Sequence, residues 1–305
     1  MKDILIIGGT RNMGYYLAQA LHQAGHRVTL LNRGLTPDDL PKDIPRLRAD
    51  RTDSTQMRRA LLAKKFDAVI DFALYKGAEA EAIVELLQGN TGHYIFISTG
   101  QVYLVREGIE RPFKEDDYEG RIIPAPKDNT FAYEEWLYGI GKRDCEDALR
   151  DAFEQSRFPY TSLRLPMVNS VRDPLDRLYN YYLRLRDGGP IIAPSTPNYP
   201  LNHIYALDVV RIIQELIERG VGIGKAYNIA QDEHLSLENF LALLAEIMDV
   251  STPDIVRFPR KELEAQGLMP DCSPFSERWM SALDNSRSKA ELGISYTPLA
   301  EYLTE

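Results

Sequence analysis

The sequence predicts an α/β protein with a doubly wound parallel sheet and a smaller, discontinuous lobe toward the C-terminus. Short apolar runs alternate with helical patterns over residues 3–165, as parallel strands and their crossover helices do. A glycine-rich segment follows the first apolar run. Beyond residue 165 the alternation gives way to proline-containing turns and separate helices.

Composition narrows the classes of function. The 305 residues are 44% hydrophobic and 27% charged, which is typical of a soluble globular protein. A net charge of −9 argues against a broad basic face, so we do not expect a nucleic-acid partner. Cys145 and Cys272 are too few for a disulfide framework, and no spacing matches a metal site. Without a leader pattern or an apolar run of about 18 residues, we expect a cytoplasmic protein with no membrane partner.

The first elements predict a nucleotide site. Asp3–Ile7 is an apolar run bounded by glycine, which indicates a buried strand, and a helix over 15–24 and a strand over 28–31 follow. Strand, glycine-rich turn, helix and strand in this order are the context of a Rossmann-type dinucleotide fingerprint. Glycines let the backbone approach a pyrophosphate, and a helix N-terminus attracts its charge. We therefore predict cofactor contacts from Gly8, Thr10, Arg11, Asn12, Met13 and Gly14.

The alternation continues to residue 165. We predict strands over 45–49, 68–72, 93–97 and 160–165, helices over 54–63, 79–87 and from residue 131, and a long loop over 104–130. The carboxyl ends of parallel strands meet at one edge of a sheet, where ligands bind. Five residues that follow strands should therefore line one crevice: Gly8, Arg33, Asp50, Ala73 and Thr99.

The remaining segments define the domain organisation. Helices are predicted near 176–186, over 204–219 and over 236–248, with a strand over 226–230. We assign residues 1–165 plus 201–230 to the dinucleotide-binding domain. Residues 166–200 plus 231–305 form the predicted substrate lobe.

A tyrosine and a lysine four residues apart suggest acid/base chemistry. Of 17 tyrosines, only Tyr138 is followed four residues later by lysine, Lys142, so a helix would place both on one face. Gly139 and Gly141 beside them predict a close approach to the helix backbone. An ammonium favours the phenolate, which would make Tyr138 a general acid/base. The alternative is an ordinary surface pair.

These motifs resemble the short-chain dehydrogenase/reductase superfamily in its extended, epimerase/dehydratase-like form. Gly8 to Gly14 resembles the divergent Gly-Gly-Thr-Arg variant of the cofactor motif. Asp50 with Arg51 resembles the adenine-reading position, and Tyr138 with Lys142 the Tyr-x-x-x-Lys pair.

The resemblance implies a role for each catalytic residue. Tyr138 would exchange a proton with the substrate oxygen, Lys142 would hold the nicotinamide ribose, and Thr99 would hydrogen-bond the substrate oxygen. Thr99 has an alternative role as a strand-end threonine that binds its own backbone. Further cofactor contacts are implied at Asn32, Arg33, Asp50, Arg51, Ala73, Leu165 and Pro166.

The end of the second strand favours NADP, with NAD as the alternative. NAD sites usually place a carboxylate there, but this chain has Asn32-Arg33-Gly34. Arg33 can offer a planar fork to a 2′-phosphate, and Arg11 adds a second positive charge.

The expected activity is hydride transfer on a small hydroxy or keto substrate, sugar-like compounds included. Met167 and Leu201 stand where nucleotide-sugar epimerases often carry an asparagine and an arginine, so we expect a weak response to nucleotide sugars. Asp71 and His203 are interpreted as structural. An aromatic stretch, Tyr179, Tyr181 and Tyr182, lines the substrate mouth or packs on the core.

Two other functional classes stay open. One is a non-catalytic NAD(P)-binding regulator, although such relatives usually lack the Tyr/Lys pair. The other is an RNA-binding protein, like some chloroplast relatives with the Gly-Gly-Thr-Arg motif.

The resemblance also suggests a homodimer through the helices near 79–88 and 131–153, with Trp136, Leu137 and Ile140 as apolar contacts.

Overall fold

The computed structural model describes residues 1–196, 198–269 and 280–305. Its strands are β1 (Asp3–Ile7), β2 (Arg27–Asn32), β3 (Arg46–Arg48), β4 (Ala68–Asp71), β5 (Tyr94–Thr99), β6 (Tyr160–Leu165), β7 (Met167–Asn169), β8 (Ile191–Pro194), β9 (His203–Tyr205), β10 (Lys225–Asn228) and β11 (Ile255–Phe258). Its helices are α1 (Asn12–Gln23), α2 (Ser54–Leu61), α3 (Gly77–Leu87), α4 (Gln101–Leu104), α5 (Phe131–Ser156), α6 (Arg177–Asp187), α7 (Ala206–Arg219), α8 (Leu237–Ile247), α9 (Arg260–Ala265), α10 (Ser286–Leu292) and α11 (Leu299–Tyr302).

Seven parallel strands form the central sheet, in the order β10-β6-β5-β4-β1-β2-β3. The chain moves outward from β1 through β2 to β3 and then returns to β4, on the other side of β1. The strand order therefore reverses between β1 and β4, which opens a crevice beyond their carboxyl ends. The predicted doubly wound α/β fold is confirmed.

Both faces of the sheet are covered, because successive side chains of a strand point to opposite faces. In β1, Ile4 and Ile6 join the apolar cluster under α1 and α7. Leu5 and Ile7 join the cluster on the other face, with α2, α3 and α5. All four side chains are at most 1% exposed, which explains the continuous apolar run in the sequence.

The second lobe has its own apolar cluster between α6 and α8. Two small parallel pairs, β7 with β9 and β8 with β11, support it. The helix predicted over 204–219 begins later, at Ala206, because His203–Tyr205 pairs with β7 as a strand. None of the described helices is long and apolar enough to cross a membrane.

The segment over 104–130 is more ordered than the predicted loop. It contains the end of α4 and a 3₁₀ helix over Glu115–Tyr118. Phe113 and Tyr118 are buried in a cluster with Tyr103 and Leu283. Contacts with residues distant in sequence order this segment, and hydrophobic periodicity carries no signal for such contacts.

Candidate active site

Two cavities lie at the carboxyl ends of the sheet strands. The first, about 370 Å³, is lined by Gly8, Thr10, Arg11, Asn32, Arg33, Asp50, Arg51 and Ala73, among others. The second, about 970 Å³, is lined by Asn12, Met13, Thr99, Tyr138 and Pro166, among others. We call them the adenosine cavity and the substrate cavity. Three predicted site residues line neither: Gly14, Lys142 and Leu165.

The glycine-rich loop is shaped for close contact with a phosphate group. Gly8 and Gly9 have positive φ angles of 94° and 77°, where side chains are disfavoured. Gly14 is buried because it packs on Gly9: a Cβ on Gly14 would lie 2.6 Å from the Gly9 Cα. Helix α1 has no side-chain cap at Arg11, so its first N–H groups stay available for an anion. These features fit the pyrophosphate of a dinucleotide.

The end of β2 presents hydrogen-bond donors to the adenosine cavity. The Asn32 Oδ1 accepts from the Gly34 N–H at 2.9 Å and from the Arg48 guanidinium. Two donors on one side fix the orientation of the amide, so its Nδ2 faces away from them. This buried Nδ2 has no hydrogen-bond partner in the part of the chain that the structure describes. A ribose or phosphate oxygen would satisfy it.

Two arginines flank this amide. Arg33, with a side chain 63% exposed, lies 3.8 Å from the Asp50 carboxylate. Hydrogen bonds from Thr52, aided by Arg33, lower the pKa of Asp50. Arg48, at the end of β3, comes from a neighbouring strand, and sequence reasoning missed it. No local pattern marks Arg48, because only the pairing of β2 with β3 brings it to Asn32.

Arg51, which resembles part of the adenine-reading position, also pairs with a buried carboxylate. It lines the adenosine cavity, but its guanidinium donates to both carboxylate oxygens of Asp71, at 2.7 and 2.5 Å. Asp71 is fully buried and also accepts from the Tyr94 hydroxyl and the Ala73 N–H. A buried carboxylate requires such partners. Asp71 thus has the contacts of a structural residue, and they occupy two of the donors expected to read adenine.

Tyr138 and Thr99 come together at the floor of the substrate cavity. Both residues line this cavity, and the Thr99 hydroxyl is close enough to the Tyr138 phenol to favour the phenolate. The Thr99 hydroxyl accepts a hydrogen bond from the Gln101 N–H at 3.2 Å, which is the backbone contact expected for a strand-end threonine. Ser98, the preceding residue, donates to Glu146 on the other face of the sheet.

The sequence predicted that the neighbouring ammonium would lower the pKa of the Tyr138 phenol, and this prediction is wrong. Desolvation by the cavity walls and the neighbouring Tyr75 raise the pKa of Tyr138, although 38% of the residue surface is exposed. The nearby Thr99 hydroxyl opposes this shift only in part. Desolvation penalises the phenolate more than its surroundings stabilise it. The phenol is therefore protonated at neutral pH.

Lys142 lies beneath the cavity floor. It is 3% exposed, and its ammonium donates to the Ile97 carbonyl at 2.8 Å. The same ammonium lies 4.7 Å from the centre of the Tyr75 ring and 5.8 Å from that of Tyr138. Desolvation lowers the pKa of Lys142 to about 8. The buried lysine is thus close to Tyr138, but its ammonium faces a backbone carbonyl.

The glycines beside Tyr138 permit the close approach that the sequence predicted. A Cβ on Gly141 would lie 2.4 Å from the Tyr75 carbonyl oxygen. One on Gly139 would lie 2.7 Å from Val105 and 2.9 Å from the Gln101 carbonyl. Both are distances at which backbone would have to move. The glycines bring α5 against the segments that hold Tyr75 and Gln101.

Helix α6 adds polar side chains that the sequence reasoning did not identify. Arg177, Asn180 and Arg184 line the substrate cavity. Their spacing of three and four residues places them on one helix face, which is the signal that could have found them. Arg177 donates to the Asp173 carboxylate at 2.7 Å. Positive charge thus reaches the substrate cavity from α6.

Other residues singled out by the sequence have varied positions. Met167 lines the substrate cavity, whereas Leu201 is buried in the apolar cluster of α6 and α8 and pairs with Leu235. His203 is buried, and desolvation lowers its pKa to about 3, so it stays neutral. Among the three tyrosines of α6, Tyr181 packs in the core. Tyr179 and Tyr182 are exposed and stack on each other. Cys272 lies outside the described residues.

The glycine-rich loop and the two cavities at the strand ends have the arrangement of a dinucleotide-binding α/β protein. The sequence profile of the NAD dependent epimerase/dehydratase family matches residues 4–230. The chain belongs to this family, and it is an NAD(P)-dependent enzyme. The family resemblance inferred from the motifs is therefore confirmed.

Similar proteins include one curated relative over most of the chain. Chloroplast stem-loop binding protein of 41 kDa b, from Arabidopsis thaliana, is 26% identical over 281 residues, covering 86% of this chain and 68% of that protein. UDP-glucose 4-epimerase from Thermotoga maritima, solved with UDP-glucose, has a TM-score of 0.74 at 22% identity, covering 99% of this chain and 96% of that one. The enzyme WbmH from Bordetella bronchiseptica, solved with NAD+, has a TM-score of 0.71 at 20% identity, covering 100% and 96%. At these identities the two solved structures show the fold alone.

Proposed function

We propose that the protein transfers hydride between a nicotinamide cofactor and a small hydroxy or keto compound, sugar-like compounds included, with Tyr138 as the general acid/base. The observation that carries this proposal is that Thr99 and Tyr138 lie close together in the wall of a cavity of about 970 Å³. The cavity also includes Asn12 and Met13 of the glycine-rich loop, so cofactor and substrate would meet beside the tyrosine.

Each residue contributes a physical step. When bound, the nicotinamide supplies the hydride acceptor or donor. Thr99 and Tyr138 would both contact the substrate oxygen, and a protonated phenol is suited to donating its proton to a carbonyl oxygen. Lys142 would turn from the Ile97 carbonyl toward the ribose, as the family resemblance implies. Arg177 and Arg184 are suited to an electronegative or anionic part of the substrate.

We further propose NADP as the preferred cofactor. Asn32 Nδ2, Arg33 and Arg48 together offer donors where an NAD site usually offers a carboxylate. The Asp50 carboxylate is already near Arg33, which limits its repulsion of a 2′-phosphate.

The cytoplasmic location remains a prediction from the sequence.

The test of the proposed activity is Tyr138→Phe, which removes the phenol proton and keeps the ring. Losing a general acid/base typically lowers turnover about 10²- to 10⁴-fold. We expect this loss with unchanged cofactor affinity, measured by NADPH oxidation against a panel of aldehydes, ketones and keto sugars. Thr99→Val is the second variant. A Tyr138→Phe protein with wild-type turnover would reject the assignment.

A second candidate is RNA binding, favoured by the similarity to the Arabidopsis stem-loop binding protein. The net charge of −9 opposes it. A mobility-shift titration with a stem-loop RNA and a matched single strand at 50 and 200 mM salt tests it. Salt-sensitive, stem-specific binding would support RNA recognition, and no shift would remove this candidate.

The homodimer through α3 and α5 also remains a proposal. Leu137 is 51% exposed on this face and is available for such a contact. Trp136 instead donates to the Ile123 carbonyl, and Ile140 packs on the cluster of Tyr103. The exposed face also carries acidic residues: Glu81, Glu134, Asp144 and Asp151. Like charges would meet across a two-fold axis, so salt should strengthen the dimer.

A further inference from the structure

A third cavity, of about 640 Å³, lies between α1, α6, α8 and the last residues of the chain. It shares no lining residue with the adenosine and substrate cavities. Five tyrosines contribute to its walls: Tyr16, Tyr179, Tyr182, Tyr205 and Tyr302. Its volume is in the range of small-molecule sites. We call it the tyrosine cavity.

Helix α6 and strand β7 separate the tyrosine cavity from the substrate cavity. On α6, Arg177 and Asn180 line the substrate cavity, whereas Tyr179 and Tyr182 line the tyrosine cavity. On β7, Met167 lines the former and the last residue of the strand lines the latter. The tyrosine cavity is therefore a different site from the one that would hold the substrate.

A buried polar atom in its wall lacks a partner. Asn169 is 2% exposed and lines the cavity. Its Nδ2 donates to the Tyr302 hydroxyl at 2.9 Å, and that hydroxyl donates to Gln231 at 2.7 Å. The Oδ1 of Asn169 has no hydrogen-bond partner among the described residues. Buried acceptors without partners are rare, and Asn169 lines this cavity, so its Oδ1 is a candidate acceptor for a donor group of a ligand.

The charged groups of the cavity are all acidic. Asp173, Asp176 and Glu305 line it, and none of its described lining residues is Lys, Arg or His. Asp173 accepts from Arg177, the Tyr182 hydroxyl accepts from Arg186, and Glu305 accepts from the Tyr205 hydroxyl. Neither arginine lines the cavity itself. An orphan acceptor, carboxylates and aromatic faces all attract a positively charged donor.

We propose that the tyrosine cavity binds an organic ammonium that carries a flat aromatic group. The ammonium donates to Asn169 Oδ1 and is attracted by the carboxylates of Asp176 and Glu305. The aromatic group packs against the stacked pair Tyr179 and Tyr182, whose ring centres are 5.8 Å apart. This site does not depend on the proposed oxidoreductase activity.

Three probes with one ring and closely matched side chains test the proposal. Tyramine carries the ammonium, 4-ethylphenol lacks the charge, and 3-(4-hydroxyphenyl)propanoate reverses it. We expect saturable one-to-one binding of tyramine to the full chain by calorimetry, at least tenfold tighter than 4-ethylphenol. The propanoate should not bind, because it brings a carboxylate to an acidic cavity.

Substitutions on the exposed part of the cavity locate the site without disturbing the core. Tyr179→Ala and Tyr182→Ala should each weaken tyramine at least twofold, since one packed aromatic pair contributes roughly a two- to tenfold effect. Glu305→Gln should weaken tyramine but not 4-ethylphenol. Leu183→Ala is the matched control: it lies on the same helix, is 46% exposed and lines none of the three cavities.

Thermal unfolding of each variant checks that the fold is retained. Equal affinity for the three probes, or no saturable binding of tyramine up to millimolar concentration, would overturn the proposal. So would tyramine binding that Tyr179→Ala and Tyr182→Ala leave unchanged, because the probe would then occupy another site.

Discussion

The cofactor preference rests on two arginines that converge from neighbouring strands, and removing either one tests it. Arg33 follows β2, is 63% exposed and lies 3.8 Å from Asp50, while Arg48 ends β3 and donates to Asn32. One charge-assisted hydrogen bond contributes roughly 1.5–3 kcal/mol, which is about 10- to 100-fold in affinity. The exposure of Arg33 and its proximity to Asp50 screen its charge, so we expect the lower end of this range, about tenfold.

The assay is a fluorescence titration of NADPH and NADH against wild type, Arg33→Ala and Arg48→Ala. NADPH affinity should fall about tenfold in each variant, whereas NADH affinity should change little, because NADH lacks the 2′-phosphate. The double variant should bind the two cofactors about equally. Arg59→Ala, an exposed arginine on α2 that lines neither active-site cavity, is the control for a general loss of positive charge.

The reasoning fails if wild type binds NADH as tightly as NADPH. It also fails if Arg33→Ala and Arg48→Ala weaken both cofactors equally, since the arginines would then contact the shared part of the dinucleotide.

Three further predictions follow from buried or apolar groups. Folding lowers the pKa of Lys142 from 10.5 to about 8, so the unfolded chain binds more protons between these two pH values. In urea unfolding, the stability of wild type relative to Lys142→Met should therefore rise by about 3 kcal/mol from pH 8 to 10.5, and a difference that does not change with pH would contradict this. Lys142→Met should also lower the affinity for NADPH. UDP, GDP and dTDP sugars should give no saturable thermal stabilisation at micromolar concentration, because Met167 and the buried Leu201 stand where epimerases often carry an asparagine and an arginine. Saturable stabilisation by any of them would reject this expectation. Light scattering should show a salt-strengthened dimer that Leu137→Asp dissociates, and a monomer at micromolar concentration in high salt would refute it.

The sequence alone was sufficient for the architecture and for most of the crevice. Apolar runs such as Asp3–Ile7 predict buried strands because each strand covers both faces of a parallel sheet. Residues placed at strand ends, such as Arg33 and Thr99, then have to meet at one edge. The spacing of Tyr138 and Lys142 likewise required one helix, and Gly141 predicted the close contact that Tyr75 makes.

The tertiary structure alone decided which groups are available at that edge. Arg51 has two of its donors taken by Asp71, 20 residues away in the chain, and Lys142 donates to the Ile97 carbonyl, 45 residues away. The same enclosure raises the pKa of Tyr138, against the expectation from its neighbouring lysine. Partner choice and desolvation depend on distances between residues that are remote in sequence. Spacing along the chain does not contain those distances, so only the folded arrangement determines them.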